Sequence, residues 1–493
     1  MKKLMCILAV ILFVITGCGK SNTTDKDSDE KSSATSFQGA KLDTLKDAYD
    51  VIVIGAGGGG MSAAIAAKEA GADTVIFEKM PVVGGNTSKS SAGMNASETK
   101  FQKNEGIEDS NDLFYEETLK GGKNTNDPEL LRFFVDNSSS AIDWLDSMGI
   151  TLSNLTVTGG MSVKRTHRPA DGSAVGQYLV KGLLENVESR QVPIFLQAEV
   201  TELVKEGNEI VGVKVTFNGT ETKTIKAKAV IVATGGFGAN ADMVTQYNPS
   251  LKGFVTTNQK GSTGDGIVMI EKVGGYAIDM EQIQIHPTVE QKTSYLVTEA
   301  VRGEGAILVA QDGKRFINEL ETRDTVSQAI IGLDDHAAYL VFDQGVKDRV
   351  KAINTYVEAG FVLESDTLEG LAEKMNVDKE SFTTTLESWN QSVASQNDTD
   401  FGRKTGMDHD LGTGPYFAIK IAPGVHHTMG GVKMNANTEV LDQSNTPIPG
   451  LYAAGELVGG IHGNNRIGGN AVADIIIFGR QSGVKAAEYI KNK

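Results

Sequence analysis

The chain has 493 residues, of which 40% are hydrophobic, and its formal net charge is −16 at pH 7. This length allows two domains with substantial cores. The strong negative charge argues against nucleic acid as a partner and against electrostatic docking on anionic lipid. It does not exclude an anionic substrate, because a few arginines can dominate the potential inside a pocket.

The N-terminal segment is typical of export rather than of a folded domain. Two lysines precede an apolar run at residues 4–15, which is short for a membrane span and predicts a signal peptide over residues 1–17. Residues 15–18 resemble a bacterial lipoprotein cleavage box that would make Cys18 the lipidated first residue. An ordinary secretory signal with an incidental cysteine is the alternative. Residues 18–45 are polar and predict a flexible tether, so we expect an extracytoplasmic protein anchored to the cell membrane.

Residues 50–78 predict a strand, a glycine turn, a helix over residues 61–70 and a second strand. Gly55, Gly57 and Gly60 form G-x-G-x-x-G, which permits a tight turn, backbone approach to a pyrophosphate and close packing of helix on strand. Glu78 ends the second strand, where a carboxylate accepts hydrogen bonds from ribose hydroxyls. The segment therefore predicts a dinucleotide site, against the alternative of a structural glycine turn.

Later segments decide between NAD and FAD. Small residues at 84–95 would let the backbone pass close to a flat ring system, although a surface loop is the alternative. Residues 229–236 and 450–456 each predict a buried strand that ends in a glycine turn. Residues 468–474 open the last helix, whose N-terminus would stabilise negative charge on a reduced flavin. These features favour FAD.

This set of motifs resembles the FAD-binding domain of the fumarate reductase and succinate dehydrogenase flavoprotein superfamily. The resemblance implies an α/β fold in which a Rossmann-like FAD-binding domain, residues 46–281 and 427–493, is split by an inserted α+β substrate-capping domain, residues 282–426. It also implies a set of FAD-contacting residues in the glycine turn, the next loop and the later strands. They are Gly55, Gly57, Gly59, Gly60, Glu78, Lys79, Gly85, Asn86, Thr87, Ser91, Ala92, Gly93, Val200, Ala233, Thr234, Gly235, Gly264, Asp265, Glu456, Ala471 and Val472.

The inserted region and the C-terminal part carry more specific motifs. Their order resembles the soluble fumarate reductases of the flavocytochrome c type and the urocanate reductases. The motifs are HPT at 286–288, TEAVRGEGA at 298–306, GKRF at 313–316, ETRD at 321–324, HHTMGG at 426–431 and NNRIGG at 464–469. The resemblance implies that His286, Thr298, Glu299, His427 and Arg466 bind the substrate, and that Arg323 donates a proton supplied through Glu299 and Arg302. His426 is expected to contact flavin only through its backbone.

These residue types suit the reduction of an activated C=C bond. Charge builds on the group conjugated to the alkene, so cations and hydrogen-bond donors should surround it, and arginine matches a carboxylate with its planar fork. From chemistry alone Arg323 could equally be a third carboxylate clamp, because a free guanidinium has a pKa of about 12.5 or above. The resemblance favours the proton-donor role.

Several functions stay open at this point. Fumarate to succinate is the first expectation, since both ends of a dicarboxylate find binding residues. Urocanate, methacrylate and cinnamate-like acids are alternatives, and Leu296 stands near the position where the resemblance implies that fumarate-reducing proteins usually have methionine. A dehydrogenase or oxidase on succinate, aspartate or a ketosteroid, and a non-catalytic ligand-binding lipoprotein, are further alternatives.

The cysteine content bears on the electron source. Cys6 and Cys18, the two cysteines of the chain, both lie in the N-terminal segment. The rest of the chain therefore offers no thiol for a disulfide, an iron–sulfur cluster or a c-type haem, and no residue spacing predicts a metal site. We expect an external electron donor, a flavinylated or quinone-linked membrane protein.

Overall fold

The computed structural model describes residues 37–493, so the predicted signal peptide, Cys18 and most of the predicted tether lie outside the described residues. Ala40 already donates a hydrogen bond to the carbonyl of Ile194, at 2.7 Å, so the chain joins the main sheet before residue 45. Residues Gln38–Lys493 form one compact unit. None of the helices within the described range is long and apolar enough to cross a bilayer.

The strands of this part of the chain are numbered from its N-terminal end. They are β1 (Ala48–Ile54), β2 (Thr74–Phe77), β3 (Met94–Asn95), β4 (Asn154–Thr156), β5 (Thr166–Arg168), β6 (Ile194–Phe195), β7 (Ala198–Glu206), β8 (Glu209–Phe217), β9 (Glu221–Val232), β10 (Ala277–Ile278), β11 (Ile283–Val289), β12 (Ile307–Val309), β13 (Ala338–Asp343), β14 (Val362–Ser365), β15 (Tyr416–Thr428), β16 (Gly431–Val432), β17 (Glu439–Leu441) and β18 (Pro447–Ala453).

The α-helices are numbered in the same way. They are α1 (Gly58–Glu69), α2 (Lys100–Asn104), α3 (Asn111–Gly121), α4 (Pro128–Asp136), α5 (Ser138–Ser147), α6 (Val175–Ser189), α7 (Ala241–Tyr247), α8 (Asp265–Lys272), α9 (Ala300–Gly303), α10 (Arg323–Ile331), α11 (Gln344–Arg349), α12 (Ala352–Glu358), α13 (Leu368–Met375), α14 (Lys379–Ser395) and α15 (Asn470–Lys491).

The first sheet places the carboxyl ends of five parallel strands along one edge. Its order is β17-β18-β9-β1-β2-β6, with β8 pairing β9 and β7 pairing β8. Strands β18, β9, β1, β2 and β6 run parallel, and their registers align Ile54 with both Phe77 and Val232. Ligands of open α/β sheets bind outside the carboxyl ends of the strands, so this edge is the expected ligand site.

Helix α1 begins at Gly58, three residues before the predicted start. The reason is that the glycines of the turn continue directly into the helix, which is buried from Gly58 to Ala67. At Gly60 a Cβ atom would lie 1.9 Å from the carbonyl oxygen of Gly55. Only glycine therefore lets the first turn of α1 pack on the end of β1, as the motif predicts.

A second, antiparallel sheet lies within the region predicted as the cap. Its order is β11-β15-β13-β12, with β14 also pairing β15. Helices α9–α14 and this sheet enclose one hydrophobic core, in which Phe342 stacks on Phe417 and Trp389 is fully buried. The acidic stretch Leu368–Met375 forms α13. Strand β15 continues to Thr428, across the predicted boundary at 426, and the domain boundaries stay predictions.

Candidate active site

A cleft with about 800 Å³ of empty volume lies at the carboxyl edge of the first sheet. Its walls come from the turn after β1, the end of β2, the loop after β9 and the turn after β18. The predicted cofactor residues that line it are Gly55, Gly57, Gly59, Glu78, Lys79, Gly85, Asn86, Thr87, Val200, Ala233, Thr234, Gly235, Asp265 and Glu456.

Seven predicted cofactor residues do not line this cleft. Gly60 lies behind the turn, and Gly264 precedes α8 with a φ of 82°. Residues 91–93 lie against β5, where a Cβ on Gly93 would meet the carbonyl of His167 at 2.5 Å. Ala471 and Val472 belong to the first turn of α15. Sequence reasoning missed several lining residues from loops without a motif, among them Gln259, Gly261 and Ser262.

The cleft offers the groups that a dinucleotide needs. Helix α1 starts at the cleft, and its Gly57 N-cap contributes no side chain to cover the helix N-terminus, which favours a phosphate there. The buried Glu78 accepts hydrogen bonds from the amides of Ala56 and Met80, and burial raises its carboxyl pKa. Across the cleft Lys79 pairs with Asp265. Among the described residues, the Thr234 hydroxyl is a buried lining group without a hydrogen-bond partner, as expected where a ligand supplies one.

A charged cluster lies beyond the cleft, where β11, the segment before α9, α10 and the loop before α15 meet. Glu299 Oε1 accepts a hydrogen bond from Arg323 Nε at 2.5 Å and lies 3.6 Å from Arg302 Nη2. Gln284 Oε1 accepts hydrogen bonds from Arg323 Nη1 at 3.1 Å and Arg466 Nη2 at 2.9 Å. The structure thus brings Arg302, Arg323 and Arg466 together around one carboxylate.

The ionisation of this cluster follows from burial and from its neighbours. Burial alone would raise the pKa of Glu299, but the charge and hydrogen bond of Arg323 outweigh it and lower the pKa to about 2. Burial, reinforced by the charge of Arg323, lowers the pKa of Arg466 to about 9. At neutral pH Glu299 is therefore an anion and Arg466 a cation.

Three histidines border the cluster as neutral imidazoles. The pKa values of His286, His426 and His427 all lie well below 6.5, chiefly because the rings are buried and also because the arginines repel a further positive charge. His286 Nδ1 accepts from the amide of Thr288 at 3.3 Å, so the ring proton resides on Nε2. That Nε2 lies 3.8 Å from Glu299 and is a donor available to a substrate.

The adjacent histidines of β15 have different surroundings. The His426 ring packs edge-on against His286, with centroids 5.3 Å apart, and Arg323 is the strongest charge acting on it. His427 packs against the His462 ring at 5.5 Å and lies 3.6 Å from Glu456, a residue of the cleft wall. His426 is thus a side chain of the cluster that sequence reasoning left out, and His427 links the cluster to the cleft.

Several buried nitrogen atoms of the cluster have no hydrogen-bond acceptor among the described residues, and an anionic ligand would supply one. Within residues 37–493, four buried nitrogen atoms of the cluster have no hydrogen-bond partner: His286 Nε2, His427 Nε2, Arg302 Nε and Arg466 Nε. The remaining predicted binding residue, Thr298, is buried beside them, and its amide donates to the hydroxyl of Tyr356 at 3.0 Å. Because unpaired buried donors are costly, this arrangement favours an acceptor-rich ligand.

Comparison with known proteins identifies the family. A family model described as FAD binding domain matches residues 50–472. The chain is 55% identical to NADH:fumarate oxidoreductase of Klebsiella pneumoniae over 90% of its own length, but it spans only 48% of that relative. It is 44% identical to fumarate reductase (cytochrome) of Shewanella frigidimarina, covering 92% of this chain and 80% of the relative. It is 36% identical to urocanate reductase of Eggerthella lenta, covering 89% and 74% respectively.

A solved structure shows the same architecture. The open conformation of a flavocytochrome c3 fumarate reductase superposes with a TM-score of 0.79 at 39% identity, covering 91% of this chain and 79% of that one. These matches confirm the predicted α/β fold, with a Rossmann-like FAD domain and an inserted capping domain, and they confirm FAD as the cofactor. The chain belongs to the fumarate reductase and succinate dehydrogenase flavoprotein family and is a FAD-dependent oxidoreductase.

Proposed function

We propose that this protein reduces a C=C bond conjugated to a carboxylate, and that it converts fumarate to succinate. The observation that carries the proposal is the charge of the cluster. Three buried or half-buried arginines face one ionised carboxylate, and the neighbouring histidines are neutral. The arginines outnumber the one carboxylate inside the cluster, while Glu456 and Asp474 act on Arg466 from outside it. This excess of positive charge suits a substrate with two carboxylates.

The binding residues surround the substrate as donors. In this proposal His286, through its Nε2–H, and Thr298 hold one carboxylate, while Arg466 and His427 hold the other. The partnerless nitrogen atoms found within the described residues at His286, His427 and Arg466 support these roles. Clamping both ends would orient the double bond and restrict its motion.

In this proposal Arg323 donates the proton that is added to the double bond. Bound flavin, once reduced by the electron donor, would supply the hydride for one alkene carbon, and Arg323 would give a proton to the other. Glu299 accepts a hydrogen bond from Arg323 Nε and is ionised at neutral pH, so it can take up a proton arriving from the side of Arg302 and pass it on to the guanidine that Arg323 becomes after donating its proton. Arg302 lies next along this path, 3.6 Å from Glu299.

A substrate panel tests the proposal. FAD-loaded protein is assayed anaerobically with reduced methyl viologen and equal concentrations of fumarate, urocanate, methacrylate and cinnamate. We expect the highest kcat/KM for fumarate, with succinate as the product. Brisk turnover of urocanate without succinate formation would instead assign the chain to the activity of its Eggerthella relative, and faster oxidation of succinate by a dye would reverse the proposed direction.

We further propose that Cys18 carries a lipid anchor outside the cytoplasm and that a separate membrane protein donates the electrons. The sequence motif at residues 15–18 supports the anchor. The Klebsiella relative is named for NADH, but about half of its length lies outside the match, so its donor does not carry over. We expect palmitate labelling that is lost in Cys18→Ser, and no reduction of the isolated protein by NADH alone. Labelling of Cys18→Ser, or rapid flavin bleaching by NADH, would contradict these two points.

A further inference from the structure

Gln284 connects two arginines that sequence reasoning treats separately. Its side chain lies on β11 and is 3% exposed. The carboxamide oxygen accepts from Arg323 Nη1 and Arg466 Nη2, while the nitrogen donates to Asn465 Oδ1 and to the carbonyl of Arg466, both at 2.8 Å. Guanidinium groups are donors only, so the atom between them must be the oxygen. Every hydrogen-bonding position of the amide is therefore used.

The choice of a neutral acceptor has a physical reason. Two neighbouring guanidinium groups repel one another, and an apolar residue here would leave buried N–H groups unpaired. A carboxylate would also hold both groups, but its negative charge would reduce the excess of positive charge that attracts a dianion. Glutamine holds both arginines and leaves the charge of the pocket unchanged.

Of the three nitrogen atoms of Arg323, Nη2 is the one with both N–H groups free of Glu299 and Gln284. Nε is engaged by Glu299 and Nη1 by Gln284. Nη2 lies beside Gly468, where an added Cβ would stand 3.3 Å from it. The absence of a side chain at Gly468 therefore leaves space next to Nη2 and next to Glu299 Oε2, which would lie at the same 3.3 Å.

We propose that Gln284 is a positioning residue: it fixes the separation of Arg323 and Arg466 and directs Nη2 of Arg323 toward the substrate. The inference rests on the proposed function, because it assigns Gln284 to the same carboxylate-binding site. In this proposal one side chain on β11 determines the distance between Arg323, the proton donor, and Arg466, which binds a substrate carboxylate.

Two substitutions separate geometry from charge. Gln284→Leu removes the shared acceptor, so we expect kcat to fall by about 100-fold, as for a misplaced catalytic group. Gln284→Glu keeps an acceptor for both arginines, so kcat should stay within about 3-fold. Its added negative charge should raise the KM for fumarate and the Kd for succinate by about 10-fold or more. Gln282→Leu, two residues earlier and with its side chain bonded to exposed Glu281, is the matched control and should match wild type.

The measurements use full-length, FAD-loaded variants whose flavin content and melting temperature are determined first. A Gln284→Leu enzyme with kcat and KM within 2-fold of wild type (about the scatter of such assays), or equal losses of kcat in both variants, overturns the positioning role. If a variant does not fold, Gln284→Met repeats the test of the missing acceptor.

Crystal structures and succinate titrations of these variants give readouts that need no turnover. We expect the Arg323 guanidinium to move away from its wild-type position in Gln284→Leu and to keep it in Gln284→Glu. If wild type reduces no enoate but Arg323 moves only in the Leu variant, the proposed function falls and the positioning role stands. If wild type reduces fumarate but Arg323 keeps its place in both variants, the positioning role falls.

Discussion

At the scale of single residues, Arg323 has the most demanding role. Its guanidinium is held by Glu299 and Gln284, which leaves little freedom for any other arrangement. We expect Arg323→Ala to lower kcat for fumarate by about 100- to 10,000-fold, the usual contribution of a general acid, while FAD stays bound. Steady-state kinetics and the flavin absorption band are the measurements.

The matched control for that substitution is Arg349→Ala, which removes an exposed arginine that pairs with Glu304 in the same region of the chain. It should leave kcat unchanged, because its ion pair is at the surface. Near-normal turnover of Arg323→Ala at saturating fumarate would reassign Arg323 as a carboxylate clamp or a structural residue.

Arg466 makes substrate binding depend on pH. Its pKa of about 9 means that the guanidinium is charged below this pH and loses its proton above it. The Kd of succinate, measured by flavin absorbance, should therefore rise as the pH increases through about 9. Because the histidine pKa values lie well below 6.5, no inflection from them is expected between about pH 6.5 and 8. A Kd that stays constant up to about pH 10 would contradict a clamp that loses its charge near pH 9.

At the scale of elements, α9 is fixed from behind by a buried charge network. Glu319 accepts hydrogen bonds from Arg315 and Arg403, while Asp398 accepts from Arg315. Arg403 also donates to the carbonyl of Arg302, at 2.6 Å, and so holds the turn that carries this residue. The network connects the core of the second sheet to the proposed proton path.

Breaking this network should cost stability and activity together. Glu319→Gln removes the charge that compensates two buried guanidinium groups, so we expect a loss of about 3 kcal/mol in the free energy of unfolding. We also expect a reduced kcat through displacement of Arg302. Glu321→Gln, at an exposed position, is the control and should change stability by less than about 0.5 kcal/mol. Thermal unfolding of the FAD-loaded variants measures their stability, and steady-state kinetics measure their kcat. Equal melting temperatures of Glu319→Gln and wild type would contradict the role of the network.

The same scale shows what the sequence can predict. The strand–turn–helix unit after Asp50 is local, so its glycine spacing and apolar run predict its form and its place at the cleft. The positions of the Gln284 and His426 side chains in the cluster depend on how β11 pairs with β15, including a register shift between Gln284 and Ile285. A pairing between residues more than one hundred positions apart leaves no local signal, and a single glutamine in a strand forms no motif.

At the scale of the whole molecule, the cofactor cleft and the charged cluster share a wall. Glu456 lines the cleft and lies 3.6 Å from His427, which borders the cluster. The motifs predicted that these residues converge, because the resemblance covers most of the chain. They could not predict which nitrogen atoms lack partners, since this follows from burial in the complete fold.

The buried neutral histidines also affect global stability. An unfolded chain takes up protons on histidine below about pH 6.5, whereas the folded chain keeps these rings neutral, so acid should favour unfolding. We expect the loss of stability between pH values of about 7.5 and 5.5 to be smaller in His427→Gln than in wild type. His336→Gln, at an exposed position, should leave the pH dependence unchanged. Equal pH dependence of wild type and His427→Gln would show that His427 does not stay neutral in the fold.

The central claim is that a dicarboxylate enoate is reduced at this arginine cluster. The most direct measurement is proton NMR of fumarate incubated anaerobically with the FAD-loaded protein and reduced methyl viologen. The account predicts one succinate for each fumarate consumed, with oxidation of the viologen and with succinate formation slowed by about 100-fold or more in Arg323→Ala. Unchanged fumarate and persistently reduced viologen, in a sample that retains its flavin, would contradict it.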